Sequence, residues 1–147
     1  MSWNWKRSVE DDLRLHESRK EALTNIREKY NILKEESTAV KTSNLSAAPT
    51  SGGMSRTEEK IIANQAERDK LAAAYKSTLK RIRLIERGLE QLTPVQRTCL
   101  DRFYIHSARG NIDKLCQELG YERSRVYQIR DEALYRLTIA LHGETET

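Results

Sequence analysis

The sequence predicts an all-α protein in which long N-terminal helices, arranged as a hairpin or a coiled coil, precede a C-terminal unit of three shorter helices. Three observations support this class. The 147 residues include only 2 prolines and 6 glycines, and charged residues make up 33% of the chain. Apolar residues recur mainly at intervals of three and four positions, which is the spacing of one helix face. Scarce helix breakers and abundant helix formers favour helices over strands.

Composition divides the chain into four segments. An N-terminal amphipathic helix is predicted over residues 1–36 and a flexible linker over residues 37–57. A second long helix follows over residues 58–92, and a C-terminal domain over residues 93–143. The first helix carries an apolar stripe from Leu23 to Leu33 in alternating steps of three and four. The linker is rich in Ser, Thr, Ala and Gly and has no sustained period. A second stripe, from Leu71 to Leu92, marks the second long helix.

Two long amphipathic helices joined by a linker can bury their stripes in two ways. They pair within one chain as an antiparallel hairpin, or they pair between two chains and make a homodimer through the N-terminal helices. Both arrangements satisfy the same spacing, so both stay open at this point.

The C-terminal domain begins with a clear helix start. Thr93 is a good N-cap, Pro94 suits the first helical position, and Gln96 completes a capping box with Thr93. The helix is predicted from Pro94 to about His106. Asn111 is predicted to cap the next helix.

That next helix ends at Gly120, which supplies the left-handed conformation common at a helix C-terminus. The last helix follows about three residues later. Val126, Ile129, Ala133 and Leu137 line one face of it. We expect the helix-turn-helix unit to pack against the end of the long helix, around Ile85, Leu89 and Leu92, because a core of about 50 residues is marginal alone.

Two short helices joined by a tight turn with a glycine are typical of a DNA-reading helix-turn-helix. The start of the second helix carries Arg123, Ser124, Arg125 and Gln128, with no acidic residue between Arg123 and Arg130. Arginine binds guanine edges or phosphates, and glutamine binds adenine through two hydrogen bonds. The pattern therefore predicts binding to double-stranded DNA. The simpler interpretation of Arg130 is a surface charge.

The stretch "NIDKLCQELGYERSRVYQIRDEALYRL", Asn111 to Leu137, resembles the helix-turn-helix in the fourth region of sigma-70 family transcription factors. The resemblance implies that Arg123, Ser124 and Gln128 face the bases, with Arg125 and Tyr127 nearer the DNA backbone; Arg130 completes the candidate DNA-binding set. Ser124 stands where sigma factors usually carry glutamate, so their promoter preference does not transfer. Glu122 replaces their usual Ser or Thr cap.

The whole chain resembles small phage-encoded regulators of the ArpU and RinA type, through N-terminal helices, the connection "SAAPTSGGMSR", a long helix and a sigma-like helix-turn-helix. This resemblance implies an activator of phage late genes in the cytoplasm of the bacterial host. Two alternatives remain: an interaction module that binds RNA polymerase or a sigma factor without reading DNA, and a small terminase-like DNA-packaging protein.

Several other classes are disfavoured by the sequence. His16, His106 and His142 lie far apart, and neither a glycine-rich phosphate loop nor a nucleophile motif is present, so we expect no enzyme, metal or cofactor. No apolar run is long enough to span a membrane, the first residues do not form a secretory signal, and isolated cysteines suggest a reducing cytosol. The net charge is +4, yet residues 93–147 carry 8 basic and 8 acidic groups. DNA binding there must depend on local clustering.

Overall fold

The computed structural model describes residues 4–44 and 55–143, and these are all-helical, with no strand among them. The helices are α1 Trp5–Asn44, α2 Arg56–Glu90, α3 Pro94–Leu100, α4 Asn111–Leu119 and α5 Arg123–His142. A π-helical turn, Asp101–Ile105, directly follows α3. The predicted all-α class, with a long N-terminal helix pair, is confirmed.

The chain divides into two compact units. Unit 1 comprises Met1–Arg19 and Lys80–Thr147, and unit 2 comprises Lys20–Leu79. The start of α1 therefore belongs to the same unit as the C-terminal helices, a division that the linear segments of the sequence did not predict.

Helix α1 extends eight residues beyond its predicted end at residue 36, into the segment predicted as linker. Ser37 is buried and Val40 is half-buried, so the stripe continues from Leu33 in steps of four and three. The Thr38 hydroxyl donates to the Lys34 carbonyl at 3.0 Å, which satisfies this polar group inside the helix. Residues 45–54 of the predicted linker lie outside the described residues.

In unit 2, α1 and α2 pair within one chain and run antiparallel. The Asn64 side-chain amide donates to the Leu33 carbonyl at 2.8 Å, and the Arg27 guanidinium donates to the Tyr75 hydroxyl at 2.6 Å. Leu33 is bonded to Asn64, whereas Arg27, earlier in α1, is bonded to Tyr75, later in α2. The two helices therefore run in opposite directions. The hairpin alternative is therefore the arrangement within this chain.

The main core of unit 1 joins four parts of the chain. It contains Val9 and Leu13 of α1, Ile85 of α2, Leu92 in the connection between α2 and α3, Leu100 and Tyr104, and Ala133, Leu134 and Leu137 of α5. Leu89 packs against it. The predicted packing of the C-terminal unit on the end of α2 is borne out by this cluster. The contribution of α1 was missed, because the spacing of Val9 and Leu13 does not show which distant helix they contact.

A second, smaller core lies beneath α4. It consists of Cys99, Leu115, Val126 and Ile129. Burial, together with the neighbouring Cys116, raises the pKa of the Cys99 thiol. Cys99 therefore behaves as a small apolar core residue.

The predicted capping box at the start of α3 is confirmed. The Gln96 amide donates to the Thr93 hydroxyl at 3.2 Å, and the Thr93 amide donates to the Gln96 side-chain carbonyl at 3.1 Å. The helix predicted to run to His106 changes instead to the wider π-helical turn, closed by the His106 amide on the Asp101 carbonyl at 2.7 Å.

The π-helical turn buries Tyr104 in the main core, while Phe103 contacts both cores. Burial is the main cause that raises the pKa of Tyr104 to about 12, and the Glu10 carboxylate adds to it by its charge and by accepting a hydrogen bond. The hydroxyl thus stays protonated well above neutral pH.

The contact of α1 with the main core gives a testable prediction. Leu13 is fully buried, whereas Leu15, two positions later, is 47% exposed. Leu13→Ala should lower the free energy of unfolding by about 2–5 kcal/mol, because it leaves a cavity among packed side chains. Leu15→Ala should change it by less than about 0.5 kcal/mol. Urea denaturation followed by circular dichroism measures both, and equal losses would contradict this position of α1.

Candidate nucleic-acid interface

The turn between α4 and α5 sets the position of the candidate interface. Gly120 adopts a left-handed conformation, with φ 71° and ψ 27°, as the sequence predicts. The amides of Gly120 and Tyr121 both donate to the Cys116 carbonyl, at 2.9 and 3.2 Å. These bonds end α4, and α5 begins only three residues after Gly120. Contacts of Leu115 with Val126 and Ile129 then hold the two helices together.

Asn111 does not cap α4 as predicted. Gly110 occupies the N-cap position, with φ 80°, and Asn111 is the first helical residue. Its side-chain amide donates backwards, to the carbonyls of His106 at 2.8 Å and Arg102 at 3.3 Å. The side chain therefore satisfies carbonyls at the end of the π-helical turn, which the sequence alone does not reveal.

Helix α5 is strongly two-sided. The predicted buried stripe of Val126, Ile129, Ala133 and Leu137 is confirmed, and Leu134 and Thr138 are buried beside it. Successive residues rotate by about 100° around a helix axis. Ser124 and Gln128, both exposed, therefore lie opposite the buried stripe. We call Ser124 and Gln128, with the flanking Arg123 and Arg125, the polar face of α5.

Arg123 pairs with an acidic residue of α4. Its Nε and Nη2 groups donate to Oδ1 of Asp113, at 3.2 and 2.6 Å. The two side chains are 62% and 67% exposed. The hydrogen bond that Arg123 donates to Asp113, and then the negative charge of Asp113, raise the pKa of Arg123, so the guanidinium stays charged.

Arg125 flanks the polar face on the other side. Its guanidinium lies 6.0 Å from the centre of the Tyr121 ring and 3.9 Å from the Glu132 carboxylate. Tyr121 is itself 42% exposed, in the turn before α5. Because a guanidinium is attracted to an aromatic ring, the contact with Tyr121 restrains Arg125 at the start of α5.

Tyr127 and Arg130 are held by contacts within unit 1. The Tyr127 ring meets the Phe103 ring edge-on at 5.6 Å. The Arg130 guanidinium lies 5.2 Å from the Phe103 ring centre and 4.9 Å from the Tyr127 ring centre. It also donates to Asp131 at 2.9 Å. Both residues were included in the candidate DNA-binding set, and the structure gives them packing partners on the flank of α5.

The local charge differs from what the sequence pattern suggests. No acidic residue separates Arg123 from Arg130 along the chain, yet in space each arginine of this stretch is close to a carboxylate. Asp113, Glu132 and Asp131 accompany Arg123, Arg125 and Arg130, respectively. The surface therefore presents arginines with local counter-charges rather than an unbalanced basic patch.

Sequence reasoning missed Asp113 and Tyr121 as parts of this surface. Asp113 is ten residues before Arg123, and its proximity depends on how α4 crosses α5. Tyr121 carried a weak signal, because it directly follows the glycine of the turn, where exposed side chains are common.

Comparison of the chain with protein-family models, with curated proteins and with solved structures gives no match in any of the three. Within residues 4–44 and 55–143, no helix is long and apolar enough to cross a membrane. In the same residues, His, Cys, Asp and Glu side chains form no group of three or more that could hold a metal ion. The interface must therefore be interpreted from its own residues.

The contact of Arg130 with the Phe103 and Tyr127 rings gives a second prediction. The Arg130 side chain is 25% exposed, and Arg130→Ala should lower the free energy of unfolding by about 1 kcal/mol, because it removes cation–π contacts. Arg125→Ala, which removes a more exposed guanidinium, should change it by less than about 0.5 kcal/mol. Urea denaturation of the two variants compares them, and equal effects would show that the contacts of Arg130 do not stabilise the fold.

Proposed function

We propose that this protein is a sequence-specific DNA-binding transcription regulator that inserts α5 into the major groove. The observation that carries the proposal is the polar face of α5, exposed opposite the buried stripe and next to a tight turn. In this proposal α4, the turn and α5 form a helix-turn-helix with α5 as the reading helix, preceded by α3 as the third helix of the domain.

The dimensions support this arrangement. An α-helix with its side chains is about 10–12 Å across, and the major groove of B-DNA is about 12 Å wide. The buried stripe faces the two cores, so the N-terminal part of α5 presents Ser124 and Gln128 to solvent. The exposed apolar side chains of this helix, Tyr135 and Ile139, lie farther along it.

The chemistry of the polar face suits base recognition. Gln128 can accept from and donate to adenine, and Arg123 can donate two hydrogen bonds to guanine. Ser124 can bond to either, while Arg125 lies on the flank where a phosphate backbone would pass. Tyr127 and Arg130 act by supporting the helix and by contacting the backbone at its edge.

The counter-charges beside the arginines favour selectivity over general affinity. Non-specific DNA binding depends on cations that neutralise phosphates. Carboxylates next to Arg123, Arg125 and Arg130 weaken this attraction. Binding must then depend more on contacts with particular bases.

The biological role follows from the resemblance to phage late-gene regulators, and we propose activation of such genes at a promoter or operator. RNA polymerase is the proposed second partner of the activator. A homodimer through the N-terminal helices would let two copies of α5 read half-sites about 34–36 Å apart. The bacterial cytoplasm is the compartment that this role requires.

The polar face makes the following prediction. On a DNA site selected in vitro, Gln128→Ala or Arg123→Ala should weaken binding about 5- to 150-fold, and on random DNA by much less. Gln65→Ala, an exposed glutamine of unit 2, is the matched control and should leave binding unchanged. Fluorescence anisotropy at a fixed salt concentration measures all three. Equal losses on both DNAs would remove Gln128 and Arg123 from base reading.

A protein-docking module is the second candidate, and a groove on unit 1 favours it. This groove, of about 690 Å³, lies between α2 and α5 and is lined by Leu84, Tyr135 and Ile139 together with Arg87 and Arg136. Leu84, Tyr135 and Ile139 are each at least 38% exposed, and clusters of exposed apolar side chains often mark interaction sites. If an Arg123→Ala/Gln128→Ala double variant still bound RNA polymerase and still regulated transcription, docking alone would explain the activity.

A further inference from the structure

Arg123, a proposed base-reading residue, is paired with the Asp113 carboxylate. Both guanidinium bonds go to a single oxygen, Oδ1, of a carboxylate in the first turn of α4. The pair is exposed, so its contribution to folding is small. Its geometric effect is to direct the guanidinium towards α4, at the start of α5.

We propose that Asp113 is a positioning residue for DNA recognition, which holds the Arg123 guanidinium in the orientation that reads one base pair. This inference rests on the proposed function and names a specificity determinant outside the reading helix.

The bonding pattern leaves Arg123 able to bind a base. A guanidinium has five N–H groups in a rigid plane. Asp113 occupies the Nε–H and one N–H of Nη2. The two N–H groups of Nη1 and the second N–H of Nη2 remain. One from each terminal nitrogen can donate in parallel to O6 and N7 of guanine.

Asp113 raises selectivity through the ordering of Arg123. An unrestrained arginine samples many rotamers, and binding must order it at an entropic cost that Asp113 reduces in advance. The carboxylate also repels phosphates, which weakens binding to all DNA and does so most at low salt. The first effect strengthens cognate binding alone, whereas the second lowers both affinities and leaves their ratio unchanged.

The experiment is a double-mutant cycle on the full-length chain. Wild type, Asp113→Asn, Arg123→Ala and the double variant are titrated with the selected site, with single-base-pair substitutions of it, and with random DNA. Asp113→Asn should reduce the preference for the selected site over random DNA about two- to tenfold, the range expected for losing the ordering of one long side chain. The single-base-pair substitutions should show that discrimination is lost at one position of the site. The effect of Asp113→Asn should disappear when Arg123 is already replaced by alanine.

Two further variants separate positioning from other effects of the substitution. Glu118→Gln removes a carboxylate of the same helix, one that pairs with Arg102 at 3.2 Å, and should leave the preference unchanged. Asp113→Glu keeps the negative charge at this position and should retain most of the preference for the selected site over random DNA. Thermal unfolding of Asp113→Asn should match wild type, since the pair is exposed.

The results distinguish this inference from the proposed function. Suppose wild type strongly prefers its selected site. An unchanged preference in Asp113→Asn, or the same change with and without Arg123, then overturns the role of Asp113 alone. If wild type shows no preferred site, the proposed function fails and the role of Asp113 fails with it.

Discussion

The buried stripe of α5 is the constraint on which the rest of unit 1 depends. Its first part, Val126 and Ile129, lies in the small core beneath α4. Its second part, including Leu134 and Leu137, lies in the main core with α1 and α2. Each fully buried Leu, Ile or Val contributes about 1.5–3 kcal/mol, more than surface ion pairs contribute. Apolar packing therefore fixes the rotation of α5, and the polar face is exposed because the opposite face is shared by both cores.

Contacts with rings and carboxylates then determine how the arginines of α5 are held once packing has set the rotation of the helix. Arg130 lies against two aromatic rings, while Arg123 and Arg125 are exposed with carboxylates nearby. A stretch that is free of acids along the chain is thus partly neutralised in space. In the proposed role, this arrangement limits binding to arbitrary phosphates and leaves discrimination to Gln128 and Arg123. The groove between α2 and the later part of α5 is a separate surface, so the two proposed activities would use different parts of one helix.

Local patterns predicted local structure well. Thr93 with Gln96 gave the start of α3, Gly120 gave the end of α4, and three-four spacing gave the buried stripe of α5, because each depends on neighbours within a few residues. Contacts between distant segments were harder to predict. The packing of Leu13 in the main core and the proximity of Asp113 to Arg123 depend on how helices cross, which spacing does not encode. The extension of α1 was missed because Ser and Thr composition suggests a linker, although Ser37 is buried in the structure. The helix-turn-helix assignment stays a prediction.

The central claim is that α5 reads a DNA sequence, and the ratio of two affinities tests it most directly. The full-length chain is used to select from random double-stranded DNA, and its affinities for the best site and for unselected DNA are compared across a salt titration. A preference of at least about a thousandfold at physiological salt is the result that a base-reading helix predicts. Equal affinities that both fall steeply with salt would contradict it, because they would show attraction to phosphates without recognition of bases.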